Sequence, residues 1–201
     1  MRRLLAATSL TPLALGIAVA PAVAETVIST AVTTPLLTGT ANDDIRITST
    51  GSVPPTSGTA VTINSNDSVR NEGTIQITGA NGATGILANT DLTGNITNTG
   101  TITIDETFTP TDTDNDGDLD GPFAQGSDRF GIHVLGGGTF TGGIVNSGAI
   151  TVEGNASAGI AIDSALAGSL AHTSGAIGVS GNNSVGIRTS SVSGNIALTG
   201  G

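Results

Sequence analysis

Asp112, Asp114, Asp116, Asp118 and Asp120 take every second position of one short segment, with Gly117 among them. Carboxylates this crowded repel one another unless a cation or solvent screens them. Oxygen donors at this spacing suit a hard cation, calcium above all, and the glycine permits the sharp turn that wrapping an ion requires. The competing reading is an acidic, solvated surface loop with no bound ion. The five aspartates are the candidate metal ligands, and calcium is the candidate cofactor.

The segment follows the calcium-loop pattern of EF-hands at Asp112, Asp114, Asp116 and Gly117. Asp118 would supply a backbone carbonyl and Asp120 the next ligand position. Phe123 stands where that pattern places a bidentate glutamate, so the loop is incomplete. The segment also resembles the shorter Asp-x-Asp-x-Asp-Gly-x-x-Asp loops of extracellular repeat modules. That resemblance implies weak binding, about 0.1–1 mM.

Other chemistry is sparse. His133 and His172 are the only histidines and lack a metal-ligand spacing. His133 lies in a strand-like run and His172 at a turn. Asp91, Glu153 and Asp163 read as exposed turn or outer-face residues. No nucleophile elbow, P-loop or dinucleotide fingerprint occurs, and Gly136-Gly137-Gly138 reads as a flexible turn. No catalytic residue is assigned, and the chain is not expected to be an enzyme.

What positions the aspartates is a repeat. Asn71-Glu72-Gly73-Thr74-Ile75-Gln76-Ile77 recurs as Asn98-Thr99-Gly100-Thr101-Ile102-Thr103-Ile104, Asn146-Ser147-Gly148-Ala149-Ile150-Thr151-Val152 and Thr173-Ser174-Gly175-Ala176-Ile177-Gly178-Val179. The glycines are spaced by 27, 48 and 27 residues. A fixed period with one long insertion, here about residues 105–128, is how a solenoid reads in sequence. Two further β-branched runs recur in each unit. One begins at Gly85, Gly131, Gly159 and Gly186, the other at Gly94, Gly143, Gly168 and Gly194. Isoleucine alternates with threonine, so each run has one apolar face, and a single unit cannot bury it alone.

The predicted fold is therefore all-β, a right-handed parallel β-helix with three-strand rungs of about 27 residues. Stacking predicts inward columns of Ile75, Ile102, Ile150 and Ile177; of Ile77, Ile104, Val152 and Val179; of Ile86, Ile132, Ile160 and Ile187; and of Ile96, Ile144, Leu170 and Ile196. Asn71, Asn98 and Asn146 should form an amide ladder, broken at Thr173. Residues 25–60 read as an N-terminal cap or lead-in, and 61–201 as the repeats. The last residues reprise the start of a unit, so the solenoid reads as truncated at its C-terminal end.

Composition agrees. Aromatic residues are 2% of the chain, too few for a nucleic-acid stacking platform, and charged residues are 11%. Met1-Arg2-Arg3, an apolar stretch to Ala20 and Ala22-Val23-Ala24 make residues 1–24 a Sec signal peptide. Beyond it stand four arginines, no lysine and 16 acids, a formal charge of −12. Such a surface is not expected to bind nucleic acid or anionic lipid by charge. The chain has no cysteine, hence no disulfide framework and no lipidated cysteine.

Signal, Thr-rich lead-in and Asn-x-Gly-Thr-Ile repeats together resemble the start of an autotransporter passenger domain of Gram-negative bacteria (type V secretion). The resemblance covers about Val61 to Gly201. It implies a pectin-lyase-like β-helix, export to the cell surface or outer membrane, or release as a secreted product. It also implies a C-terminal outer-membrane β-barrel, which this sequence lacks, so the chain reads as an N-terminal fragment. The expected role is a non-catalytic stalk or adhesin-like passenger whose surface ligand is not specified. The alternatives are a β-helix polysaccharide lyase or hydrolase and a small free secreted calcium-binding solenoid. For a lyase, Arg129 beside the acidic insertion is the one candidate base.

Overall fold

The computed structural model describes residues 24–200, so the expected signal peptide lies outside the described residues save for Ala24. The chain winds through three strand positions per turn. The opening turn holds β1 (Glu25–Ile28) and β2 (Leu36–Leu37), followed by one helical turn, α1 (Thr38–Ala41). The second holds β3 (Asp44–Ile47), β4 (Ser52–Val53) and β5 (Thr59–Ile63). The third holds β6 (Val69–Asn71), β7 (Thr74–Thr78), β8 (Thr84–Asn89) and the short β9 (Leu92–Thr93). The fourth holds β10 (Ile96–Asn98) and β11 (Thr101–Asp105), then the insertion, then β12 (Phe130–Leu135) and β13 (Thr139–Thr141). The fifth holds β14 (Ile144–Asn146), β15 (Ala149–Glu153) and the long β16 (Ala158–Ala167). The sixth holds β17 (Leu170–His172), β18 (Ile177–Ser180) and β19 (Val185–Val192), and β20 (Ile196–Leu198) opens another turn.

Equivalent strands stack into three parallel sheets. The first runs β1-β3-β6-β10-β14-β17-β20 and the second β4-β7-β11-β15-β18. The third runs β2-β5-β8-β12-β16, with β19 on the far side of β16 and β9 and β13 joining through its second half. This is a parallel β-helix. The in-register pairing begins at β1, so residues 25–60 contribute strands to all three sheets.

The columns follow from two-residue alternation. In β7, Ile75 and Ile77 point inward and are buried, while Thr74, Gln76 and Thr78 face out. Ile75 pairs with Ile102, Ile102 with Ile150 and Ile150 with Ile177, and the other three predicted columns keep their register as well, but in the last coil Ile177, Val179 and Ile187 are only partly buried and Ile196 is exposed. Val53, Val61 and Val69 extend three of them toward the N-terminus. The core is one continuous cluster dominated by isoleucine and valine, with Phe140 its one buried phenylalanine. The recurring glycine has a steric cause. A Cβ on Gly100 would collide with the Gly73 carbonyl oxygen, and one on Gly148 with that of Gly100. Successive backbones approach too closely at this corner for any side chain.

The amide ladder extends further than the sequence indicates. Asn71, Asn98 and Asn146 are fully buried, with Nδ2-to-Oδ1 distances of 2.7 Å at both steps. The fourth position is filled by His172, not left broken by Thr173. His172 pairs with Asn146 across β14 and β17, and its Nδ1 lies 3.0 Å from the Asn146 Nδ2. The Asn146-to-His172 step spans 26 residues, one fewer than the 27 of the Asn71-to-Asn98 step, so counting glycine to glycine misses it. His172 is thus a buried strand residue rather than a turn residue.

Candidate functional site

The acidic segment forms a wrapped loop. The backbone N–H groups of Asn115 and Gly117 donate to the two Asp112 carboxylate oxygens at 2.6 and 3.1 Å. Those of Asp116 and Asp118 donate to Asp114 and Asp116. Positive φ at Asn115 (64°) and Gly117 (102°) lets the chain curl tightly enough for this. One carboxylate oxygen from each of Asp112, Asp114 and Asp116 lies within 4.8 Å of the other two. Asp118 and Asp120 stand outside that cluster. Asp120 is occupied differently: it accepts from the Thr113 hydroxyl and backbone N–H, each at 2.5 Å, and the Thr113 hydroxyl leads in holding it below the usual carboxylate range. The donor set is three exposed or half-exposed carboxylates, a fit for a weakly held hard cation.

The neck of the insertion is built from two residues that the sequence analysis passed over as a pair. Glu106 follows β11 and Arg129 precedes β12. Their side chains are 8% and 1% exposed and meet at 2.9 Å. Glu106 also accepts the backbone N–H groups of Gln125 and Gly126 at 2.6 and 2.8 Å. Arg129 donates to the carbonyls of Ala80 and Glu153, one rung to either side. Burial alone would raise the Glu106 pKa, but the two backbone donors and the guanidinium outweigh it and hold the carboxyl below its ordinary range. Arg129 therefore faces the β-helix body and is spoken for, not poised over the aspartates.

A second cluster lies on the outer face of the third sheet. His133, Ala161 and Arg188 are register partners on β12, β16 and β19. Asp163 on β16 accepts from His133 Nε2 at 2.8 Å and from Arg188 Nε and Nη2 at 2.8 and 2.7 Å. The Arg188 hydrogen bond leads in holding the Asp163 pKa below the usual carboxylate range, against partial burial. Burial pushes the His133 pKa down, with Asp163 pulling the other way. Phe130 stacks on His133 with ring centroids 4.1 Å apart and lies under Arg188 at 5.2 Å. Asp163 is thus a strand residue in an ion-paired cluster. Sequence spacing could not reveal this, because its partners sit one rung above and one below.

The remaining arginines are also paired. Arg46 and Arg70, adjacent in register on β3 and β6, both bind Glu72. All four arginines of the described residues are engaged with carboxylates. An apolar hollow of about 300 Å³ opens between β1, β2 and α1, and its lining, including Pro35, Leu36 and Ile45, carries no ionisable side chain.

Residues 17–201 match a family model described as the BigA third pectate lyase-like domain. No curated protein and no solved structure matches the chain.

Proposed function

The chain belongs to the family of the BigA third pectate lyase-like domain, and from that premise we propose that it is an exported surface passenger of autotransporter type. It acts as a non-catalytic stalk or adhesin-like rod, carried out through Sec and anchored by a C-terminal outer-membrane β-barrel of the full-length product. The observation that carries this reading is the parallel stacking of all three sheets from coil to coil, in register apart from one shift between Ile162 and Ala165 where β16 meets β19. Such a stack is a rod that lengthens by about 4.8 Å per rung. Its outer faces support the reading. The second sheet presents Thr74, Gln76, Thr101, Thr103 and Thr151 to solvent, a polar ladder whose carboxylates, Asp105 and Glu153, stand at the strand ends. Among the described residues, every arginine that could abstract a proton is tied to a carboxylate.

Calcium at Asp112, Asp114 and Asp116 belongs to the same reading as a local stiffener of the insertion. The net acidity argues against nucleic acid or anionic lipid as partners. A polysaccharide-cleaving enzyme is the second reading, and the His133–Asp163–Arg188 cluster on an outer sheet face is what favours it.

Two measurements test the proposal. With the full-length gene expressed in a Gram-negative host, an epitope placed in the insertion should be accessible to antibody on intact cells. Retention in the periplasm would sink the passenger reading. The purified domain, incubated with polyuronate and neutral polysaccharides with and without calcium, should release no reducing sugar or unsaturated product. Any turnover lost in a His133→Ala variant would establish the enzyme instead.

A further inference from the structure

Asn81-Gly82 is the one Asn-Gly step in the sequence. It lies exposed in the turn between β7 and β8, on the corner that carries the insertion one coil further on. Asparagine before glycine is open to succinimide chemistry, because no Cβ shields the glycine nitrogen from the asparagine Cγ. Both reacting ends are tied down here. The Asn81 Oδ1 accepts the Ser127 N–H at 3.0 Å, and the Gly82 N–H donates to the Ser127 carbonyl at 3.0 Å. Ser127 follows Gly126, whose N–H is held by Glu106 at 2.8 Å. Arg129 donates to the Ala80 carbonyl at 2.8 Å. The turn and the neck of the insertion are therefore one hydrogen-bonded assembly.

We propose that Asn81-Gly82 is a deamidation site gated by the neck: the amide survives while Ser127 holds both residues, and local opening of the neck commits it to conversion. The reaction needs only water. The Gly82 nitrogen loses its proton to solvent and bonds to the Asn81 Cγ. The Cγ–Nδ2 bond breaks, and the amino group leaves as ammonia with a proton from solvent. Water then opens the cyclic imide. Addition at Cγ gives aspartate; addition at the backbone carbonyl carbon gives isoaspartate, with Cβ drawn into the main chain. In the closed neck, the Gly82 N–H is engaged with the Ser127 carbonyl and shielded from the base that must remove its proton. The isoaspartyl form adds one main-chain atom between the Ala80 carbonyl and the Gly82 N–H, so the turn no longer meets Arg129 and Ser127 together. A passing opening of the neck is thereby recorded as a covalent change that loosens the insertion's hold on the coil.

The same corner supplies an internal comparison. Asn155 Oδ1 accepts the Asn182 N–H at 2.8 Å, and the Ala156 N–H donates to the Asn182 carbonyl at 2.8 Å. Gly82 has φ 64° and Ala156 has φ 52°, so the turn accepts alanine in the left-handed region. A Cβ on Gly82 would meet nothing within 4 Å. Asn155 is thus held as Asn81 is, but the Ala156 methyl hinders attack on it.

The test is mass spectrometry of the turn peptide after incubating the purified domain at mildly alkaline pH, folded and in urea. Deamidation changes the mass, whereas isomerisation at Asp116-Gly117 or Asp120-Gly121 does not. Conversion of Asn81 should be at least about tenfold slower in the folded protein than in the unfolded chain. Gly82→Ala should lose the conversion in urea. Glu106→Gln, which weakens the neck, should speed conversion of the folded protein. Asn98→Ala, which weakens the fold away from the neck, should leave it unchanged. In the wild type, the Gly82 and Gly126 amides should show matching protection from hydrogen exchange, a readout that needs no variant. Equal rates in folded and unfolded protein overturn the proposal, as does an unprotected Gly82 amide. So does Glu106→Gln without effect, or equal acceleration by Glu106→Gln and Asn98→Ala, which would place the conversion in globally unfolded chains.

Discussion

Arg129 and Glu106, 23 residues apart and at opposite ends of the insertion, meet at 2.9 Å with both side chains almost wholly buried. The pair shuts the neck of a long loop onto the β-helix body. Breaking one half leaves the other charge buried without a partner, which costs about 3–5 kcal/mol. Glu106→Gln should lower stability by about 3 kcal/mol in urea denaturation at neutral pH. The effect should also fade in acid. The folded pKa of Glu106 lies below its ordinary 4.5, so its contribution is complete above that value and is lost as pH falls through the folded pKa. Wild type and variant should therefore converge in stability below the ordinary glutamate range. A difference that persists unchanged in acid would mean the pair acts by packing alone.

Asn98 stands in the middle of the ladder, bonded on both sides. Asn98→Ala orphans the Asn71 donor and the Asn146 acceptor together. At about 1–3 kcal/mol per orphaned buried group, the loss should reach at least about 2 kcal/mol. Thr97→Ala, on the outward face of the same strand, should stay within about 0.5 kcal/mol of wild type. Equal losses in the two variants would deny the ladder any special weight.

Calcium, or terbium as its luminescent substitute, should bind the isolated domain at about 0.1–1 mM, and Asp112→Asn should abolish saturation. Chelation should leave the denaturation midpoint almost unchanged, because the loop hangs from the Glu106–Arg129 neck and contributes no strand. Collapse of the whole fold on chelation would show that the ion supports the core after all.

The isoleucine columns were legible because three signals coincide: two-residue alternation, β-branched composition and glycine at a fixed interval. The cause of that interval, carbonyl oxygens packed against Cα atoms at the corner, becomes visible only in three dimensions. His172 was hidden for two reasons. Its rung is shorter by one residue before the turn, and an imidazole here does the work of an amide. Glu106 with Arg129, and His133 with Asp163 and Arg188, escape any linear reading. Each forms across rungs or across the insertion, so no local spacing marks it. For the aspartates, the pattern located the loop, but it could not tell that Thr113 takes Asp120 aside.

Gly100 and Gly137 give a matched comparison. A Cβ at Gly100 meets the Gly73 carbonyl and neighbouring backbone, whereas one at Gly137 meets nothing within 4 Å. Gly100→Ala should cost more than about 2 kcal/mol by forcing two rungs apart, and Gly137→Ala should fall within about 0.5 kcal/mol of wild type. Thermal melts of the two variants would separate a stacking constraint from a general intolerance of alanine.

The Asn71–Asn98 and Asn98–Asn146 hydrogen bonds have the same length, 2.7 Å, although 27 residues separate the first pair and 48 the second. The protein thus keeps its register in coils, not in residues. Genetic change at the corner after β11 is therefore invisible to the ladder. A lineage can lengthen, shorten or exchange the segment there, altering what the rod displays without disturbing its joints. In-frame gain or loss of a whole coil is similarly tolerable, since every coil ends on the hydrogen bonds with which the next begins. Diversity among relatives should accordingly concentrate in that one corner and in the number of coils, with the buried columns held constant.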